Sequence, residues 1–479
     1  MHDLVVRGGT VVDGTGVAAR EADVAVDRGR ISEVGSVTGR ARRTVDARGL
    51  LVTPGWVDVH THYDGQATWD DQLAPSSWHG VTTVVMGNCG VGFAPAKPER
   101  HQWLIGLMEG VEDIPGTALS EGISWEWESF PEYLDALERR RWTVDVGTQV
   151  PHGAVRAYVM DERGAKNEPA SAGEIGQMHD IVKSAIQAGA LGFSTSRTIA
   201  HIAIDGEPVP GTFAAEDELF GIGQALGELG AGVFELAPAG AAGEDVDSPV
   251  KEVDWMRRLS ASISRPVTFA MLQVDSAPEL WEDLLDLSLR AAEEGAELWP
   301  QVAGRPTGLL SGHHTSYCLF DLIPTYQELK ARDLGDDQLA RELSKPGIRD
   351  AITQWRPPAE LSETMAKAYA KTFVLGQPPD YEPGPELSLD AIAQEEGRHP
   401  LEVAYDAMLT GDGHGLLYVP ILNYSSGDLE PARRMLLHPR AVLGLADGGA
   451  HCGVICDGSM PTFMLTHWTR DRRRGPQLP

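Results

Sequence analysis

The chain has 479 residues, 42% hydrophobic and 23% charged, an ordinary balance for a folded protein and one that excludes wholesale disorder. Its 70 Asp+Glu against 40 Lys+Arg leave a net charge of −30, which repels phosphates and argues against nucleic acid or anionic membrane as partners. Four cysteines (Cys89, Cys318, Cys452 and Cys456) are too few for a disulfide scaffold at this length. No basic leader followed by an apolar run opens the chain, and no segment nears the roughly 18 apolar residues of a membrane span. The expectation is a cytoplasmic, reducing setting.

Residues 1–53 carry short β-branched runs at 4–6, 10–12, 24–26 and 31–34, separated by Gly8-Gly9, Gly14, Gly16, Gly29 and Gly35. Strands bounded by glycine predict a small antiparallel sheet. From Trp56 onward the texture changes. Apolar strands at 81–86, 143–150, 190–193, 232–236, 266–272, 296–300 and 441–446 alternate with helical patterns such as 174–188 and 281–294. That alternation predicts a parallel α/β architecture over 54–479, a (β/α)8 barrel before an open sheet. Residues 305–395 interrupt it with scattered Pro and Gly, and read as an insertion on one barrel loop, covering the mouth. The basic run 470–474 has no partner pattern and reads as a solvated end.

Chemistry concentrates where strands end. His60 and His62 follow the strand at 56–59, and residues i and i+2 of a strand share a face, so both imidazoles can aim at one divalent metal. Asp58 shares that parity and either orients a ligand or makes a plain strand-end hydrogen bond. Cys89, in Gly87-Asn88-Cys89-Gly90, is either a thiolate ligand presented at the rim or a buried core cysteine. Asp447 closes the strand at 441–446 ahead of Gly448-Gly449, as either a metal-proximal general base or a turn aspartate. Thr195-Ser196-Arg197 follows the strand at 190–193. Arg197 either pairs with a substrate carboxylate or forms an interior ion pair with an acid such as Glu235. His201 is placed to bond an acyl or amide oxygen, and His152 is a further pocket candidate. His451, Cys452 and Cys456 suggest a zinc knuckle, but the spacing fits lining of the loop after Asp447 better.

Taken in order, VVRGGTVVDGTG, PGWVDVHTH, GVTTVVMGNCG and VLGLADGGAH resemble the amidohydrolase superfamily, and the GNCG cysteine resembles its N-acyl-D-amino-acid deacylase (D-aminoacylase-like) family. The resemblance covers essentially the whole chain. It implies a metal-dependent barrel with a small β-sandwich built from both chain ends, with His60, His62 and Cys89 at metal-ligand positions and Asp447 as the catalytic aspartate. It also implies two further histidines, from the fifth and sixth barrel strands, on the tightly bound metal. Here those positions are Ala237 and Met271, which cannot serve as zinc ligands. Glu235 and Gln273, of matching parity, either compensate or make a rim ion pair and a rim hydrogen bond. The expected cofactor is therefore zinc, as one or two ions with the second site impaired.

The expected reaction is hydrolysis of an amide C–N bond in a carboxylate-bearing small molecule, with Ser196, Arg197, His201 and His152 on the substrate. The rivals are a cyclic amide, carbamoyl compound or ester on the same scaffold, or a metal-poor binding protein. The chain is also expected to lack the C-terminal segment that would complete the sandwich, with a homo-oligomer as one consequence.

Overall fold

The computed structural model describes residues 1–332, 334–455 and 457–478. Two compact units meet at Trp56/Val57, against the boundary expected at 53. The first holds one five-stranded sheet: β1 (His2–Val11), β2 (Arg20–Asp27), β3 (Arg30–Gly35), β4 (Ala41–Asp46) and β5 (Leu51–Val52). β1–β2 and β2–β3 are antiparallel, as expected, but β4 and β5 both pair with β1 in parallel, so the sheet is mixed. The difference arises at residues 36–40, which return the chain from β3 to the free edge of β1 running in the same direction. Val37 of that connection is buried with Val5 and Ala25, so this small core itself holds the crossover in place.

The second unit is a closed barrel. Its strands are β6 (Trp56–Asp58), β7 (Val81–Met86), β8 (Asp145–Thr148) continued by β9 (Val150–Pro151), β10 (Gly192–Ser196), β11 (Val233–Ala237), β12 (Val267–Ala270) and β13 (Leu298–Val302). After an excursion containing β14 (Thr307–Ser311), β15 (Phe373–Val374) and β16 (Leu417–Leu422), the chain returns as β17 (Val442–Leu443). The parallel ladders run β6-β7-β8 and β9-β10-β11-β12-β13-β17. The expected strand at 143–150 splits at Gln149, whose N–H turns to Met86 O of β7 while Val150 pairs with Phe193 of β10. The other seam closes through a parallel bridge between Thr61 and Gly448. There His62 N–H donates to Gly448 O (2.8 Å) and Asp447 N–H to His60 O (3.1 Å). The last strand is shorter than expected because Leu445 and Asp447 have φ of 59° and 47°, which takes the chain out of extended geometry.

The helices follow from spacing and caps. In Ala172–Ala188, Met178, Val182, Ala185 and Ile186 fall on one buried face, and Ser171 caps the start in a reciprocal pair with Glu174. In Leu280–Glu293 the buried stripe is Trp281, Leu284, Leu285, Ser288 and Ala291. Each fully buried large apolar side chain in such a stripe stabilises by about 1.5–3 kcal/mol.

The expected insertion at 305–395 is the first part of a longer excursion. Its helices form their own core, with Phe320, Leu343, Ile352, Leu389 and Leu401 buried together, and Leu417 of β16 completes the cluster. The C-terminal segment is anchored rather than loose. Trp468 is fully buried and its indole N–H donates to Gly304 O (2.6 Å). The basic run expected to be solvated is partly built in, since Arg472 is buried against Glu382 (Nη2–Oε1 3.0 Å, Nε–Oε2 3.1 Å). Among the described residues, no helix is long and apolar enough to cross a membrane.

Glu382 also accepts from Leu429 N–H (2.8 Å) and His467 Nε2 (2.9 Å). Burial pushes its carboxyl up, but the bonds from His467, Arg472 and Leu429 outweigh it and hold the group at about 2, against an ordinary value of 4.5. A depressed carboxyl stabilises the fold fully above its unfolded pKa and loses that contribution as pH falls from about 4.5 through 2. Glu382→Gln should therefore cost about 3–5 kcal/mol at pH 7, by leaving the buried Arg472 with only its longer contact to Glu430 (3.4 Å). Denaturant midpoints measured at pH 7, 5 and 3 should converge for the two proteins as the acid is reached.

Candidate metal centre

At the C-terminal rim of the barrel, strand parity does what the sequence predicts. His60 and His62 leave β6 on one face, both buried, with ring centroids 5.3 Å apart. Cys89 follows β7 in the left-handed region at φ 54°, between Gly87 and Gly90. These glycines permit the close approach: a β-carbon on Gly90 would lie 2.9 Å from Ser196 N, and one on Gly87 2.3 Å from Gln149 O. Ligand atoms of His60, His62 and Cys89 all lie within 4.8 Å of one another. Cys89 Sγ is 3.3 Å from His60 Nε2. Asp447 completes the group, its Oδ1 3.5 Å from His60 Nε2 and 3.8 Å from His62 Nε2.

Each imidazole has an oxygen near its other nitrogen, hydrogen-bonded for His60 and only in proximity for His62. His60 Nδ1 lies 2.7 Å from Gln301 Oε1, which fixes the hydrogen on Nδ1 and leaves the Nε2 lone pair facing Cys89 and Asp447. His62 Nδ1 faces Glu112 Oε1 at 3.3 Å. Burial pushes His60 down to about 4 despite the Gln301 bond. It holds His62 well below its usual range, with His60, His451 and His201 adding repulsion. Both rings are thus neutral near pH 7 and able to donate lone pairs.

The acids in this region are pushed the other way. Burial raises Asp447 to about 6, with His451 opposing. It raises Glu235 to about 8, although Cys89 N–H bonds its Oε2 (3.0 Å), and Asp58 to about 7, although Asp58 Oδ1 accepts weakly from His60 N–H (3.4 Å). Burial also lifts Glu112 and the Cys89 thiol well above their usual ranges, and neighbouring carboxylates add to both. Glu235 Oε1, Asp58 Oδ2, Glu112 Oε1 and His62 Nδ1 are buried with no hydrogen-bond partner. A pocket of acids, a thiol and neutral imidazoles, short of positive charge, has the donor chemistry of a divalent cation site. His60, His62, Cys89 and Asp447 fit such an ion.

The remaining residues singled out from sequence divide. Ser196 Oγ and His201 Nδ1 are 3.0 Å apart, and His201 lies within electrostatic reach of His62 and His451. Of the two readings of Arg197, the structure shows the interior ion pair, but with Glu252 rather than Glu235. Its Nε donates to both Glu252 oxygens (2.8 and 3.1 Å) and its Nη1 to Ala214 O (2.9 Å). His152 is engaged through both nitrogens, with Thr195 Oγ1 and Glu218 Oε1 each at 2.9 Å. Ala237 ends β11 and Met271 follows β12, both buried, so the strand positions are present and lack ligand nitrogens. Glu235 stands behind His60, 3.8 Å from Nδ1, not on the shared Nε2 side. Gln273 is used up holding Ser425 N–H, Ser426 and Pro278 O. Cys452 is exposed, and Cys456 lies outside the described residues.

Sequence reasoning missed Glu112 and Gln301. The signal for Glu112 was present: it sits one turn after Met108 on the apolar face of α1 (His101–Glu112), where an acid has no reason to be unless something polar meets it.

Comparison with known proteins gives the family and the fold. The model of the amidohydrolase family matches residues 43–478. D-aminoacylase of Alcaligenes xylosoxydans xylosoxydans is 29% identical over 430 residues, covering 84% of this chain and 81% of the relative. A crystal structure of D-aminoacylase superposes with TM-score 0.62 at 23% identity, covering 99% of this chain and 82% of that one. The N-acyl-D-glutamate deacylase of Bordetella bronchiseptica, complexed with zinc and a phosphonate mimic of the tetrahedral intermediate, gives 0.59 at 22% identity, covering 93% and 76%.

The ion pair of Arg197 makes a direct prediction. Arg197→Met strands Glu252, which is only 5% exposed, and should cost about 3–5 kcal/mol in denaturant unfolding. The double variant Arg197→Met/Glu252→Met should recover much of that loss, since no buried charge is then left unpaired.

Proposed function

The chain belongs to the amidohydrolase family, and on that premise we propose that it hydrolyses the amide bond of N-acyl-D-amino acids. The observation that carries the reading is the buried cluster of His60, His62 and Cys89 ligand atoms at the barrel mouth, with Asp447 Oδ1 3.5 and 3.8 Å from the two Nε2 atoms. The likeness to D-aminoacylase over most of both chains supports the substrate class. We assign one divalent ion, zinc, to His60, His62, Cys89 and Asp447, because Ala237 and Met271 offer no nitrogen for a second full set. Such an ion, when bound, supplies Lewis acidity toward the substrate carbonyl and acidifies the attacking water.

The chain's own residues do the rest. His60 holds its Nε2 lone pair in place through the hydrogen on Nδ1 bonded to Gln301, and His62 presents Nε2 with its Nδ1 toward Glu112. Asp447 takes a proton from the water as its oxygen adds to the carbonyl carbon. It returns that proton to the amide nitrogen as the C–N bond breaks, so acid and amine leave together. Ser196 and His201 face the acyl or amide oxygen from the end of β10. Arg197 and His152 serve substrate binding through position, Arg197 by tying the end of β10 to Glu252 and Ala214, and His152 by bonding Thr195. The products are a carboxylate and a free D-amino acid.

Protein purified without chelator and supplied with zinc should hold about one equivalent per chain by elemental analysis, and His60→Ala should lose both metal and activity. Asp447→Asn should keep most of the metal and lose about 10²–10⁴-fold in kcat on the best N-acyl-D-amino acid. A loss under about tenfold would remove Asp447 from proton transfer. A panel including cyclic amides, carbamoyl compounds and esters tests the substrate class, and a higher kcat/KM for one of those replaces the deacylase reading.

A further inference from the structure

We infer that Glu112 is a positioning residue, whose buried carboxyl backs the ring of His62 while its backbone carbonyl holds the loop after Asp447. The inference rests on the metal-site reading above and goes beyond it by naming what holds two of the ligands in register.

Glu112 ends α1 and is 2% exposed. Its Oε1 is 3.3 Å from His62 Nδ1, and its Oε2 is 3.7 Å from His451 Nε2. Its backbone carbonyl accepts the N–H of His451 (2.5 Å). Neither His62 Nδ1 nor Glu112 Oε1 has a hydrogen-bond partner elsewhere or meets bonding geometry with the other, so each is the nearest polar group left to pair with the other. The next residue extends the grip. Asp113, in the left-handed region at φ 49°, accepts from Gly453 N–H (3.1 Å) and from Ser316 Oγ (3.0 Å). The end of α1 thus backs one metal-facing histidine with one carboxylate oxygen and holds the loop just after Asp447 with its backbone carbonyl and Asp113.

The helix is itself locked in place. Ile204 N–H donates to Gly106 O (3.3 Å), and a β-carbon on Gly110 would lie 2.4–2.7 Å from the backbone of Ala203 and Ile204. Leu104, Ile105, Leu107 and Met108 bury the other side of α1. A rigid helix that ends in a buried carboxylate can fix a ring orientation that a loop residue would leave loose. Behind a metal-bound imidazole, a carboxylate keeps the hydrogen on Nδ1 and makes Nε2 a stronger donor.

The test reads metal binding directly. Wild type, Glu112→Gln and Glu112→Asp are titrated with zinc against a chromogenic chelator, and their cobalt-loaded forms are compared by visible absorption. Glu112→Gln should weaken zinc affinity about 10–100-fold and alter the cobalt bands, and Glu112→Asp should recover part of both. Folded variants with wild-type affinity and wild-type cobalt spectra overturn the inference while leaving the metal reading standing. A wild type that binds no zinc overturns both. If Glu112→Gln does not fold, zinc-loaded wild type labelled with 15N-histidine decides. A slowly exchanging Nδ1 hydrogen on His62 supports the inference, and a fast one overturns it.

Discussion

The structure depends on how a barrel mouth buries a cluster of acids. Asp58, Glu112, Glu235, Asp447 and Cys89 are gathered around two neutral imidazoles, and burial pushes every one of those acids upward. Ionising even one such group without a partner costs several kcal/mol. The protein therefore has two ways to settle the region: keep protons on the acids, or admit a cation that replaces them. Metal affinity and proton release are linked by that choice. A binding site built this way is selective for charge before it is selective for geometry.

The barrel makes the gathering possible without disturbing its own hydrogen bonds. Parallel strands deliver side chains of one parity to the same rim, so His60 and His62 from β6 meet Cys89 after β7 and Asp447 after β17 with the ladders intact. The seam that closes the ring runs through the same residues, since His60 O and His62 N–H are the groups that pair with Asp447 N–H and Gly448 O. Closing the barrel and assembling the ligands are one event. Loss of the seam would separate Asp447 from both histidines, which explains why the last strand holds only two ladder residues yet is anchored at its end.

This much was legible in the sequence because it follows from period and position. Strand parity placed His60 and His62 on one face, glycine on both sides of Cys89 marked a close backbone approach, and the family resemblance singled out Cys89 and Asp447. Legibility ended where a partner had to be named across the fold. Arg197 called for an acid, but choosing Glu252 over Glu235 needs the helix Ser248–Ile263 placed against the end of β10. Glu235 had the right parity to replace a missing ligand, yet it lies behind His60 because its Oε2 is taken by Cys89 N–H. Gln301 carried no local motif at all, and its role exists only because β13 lies next but one to β6 around the ring, beyond β17. The parallel pairing of β4 and β5 was hidden for a similar reason: antiparallel neighbours are local in sequence, whereas a crossover is decided by which strand edge remains free.

Backbone strain marks the same boundary between local and global determination. Cys89, Leu445, Asp447 and His451 all sit at φ between 47° and 59°, where a residue with a β-carbon costs of order 1–3 kcal/mol. Nothing in their own sequence relieves this, since each has glycine nearby but is not glycine itself. Three of these positions are instead held by a contact from elsewhere: Cys89 N–H by Glu235, Asp447 N–H by His60 O, and His451 N–H by Glu112 O. The acceptors that hold these positions belong to Glu235, His60 and Glu112, residues of the same site. A side chain that relaxed to ordinary geometry at any of these points would turn away from the shared site, so the cost of strain is inseparable from the arrangement that gathers the acids.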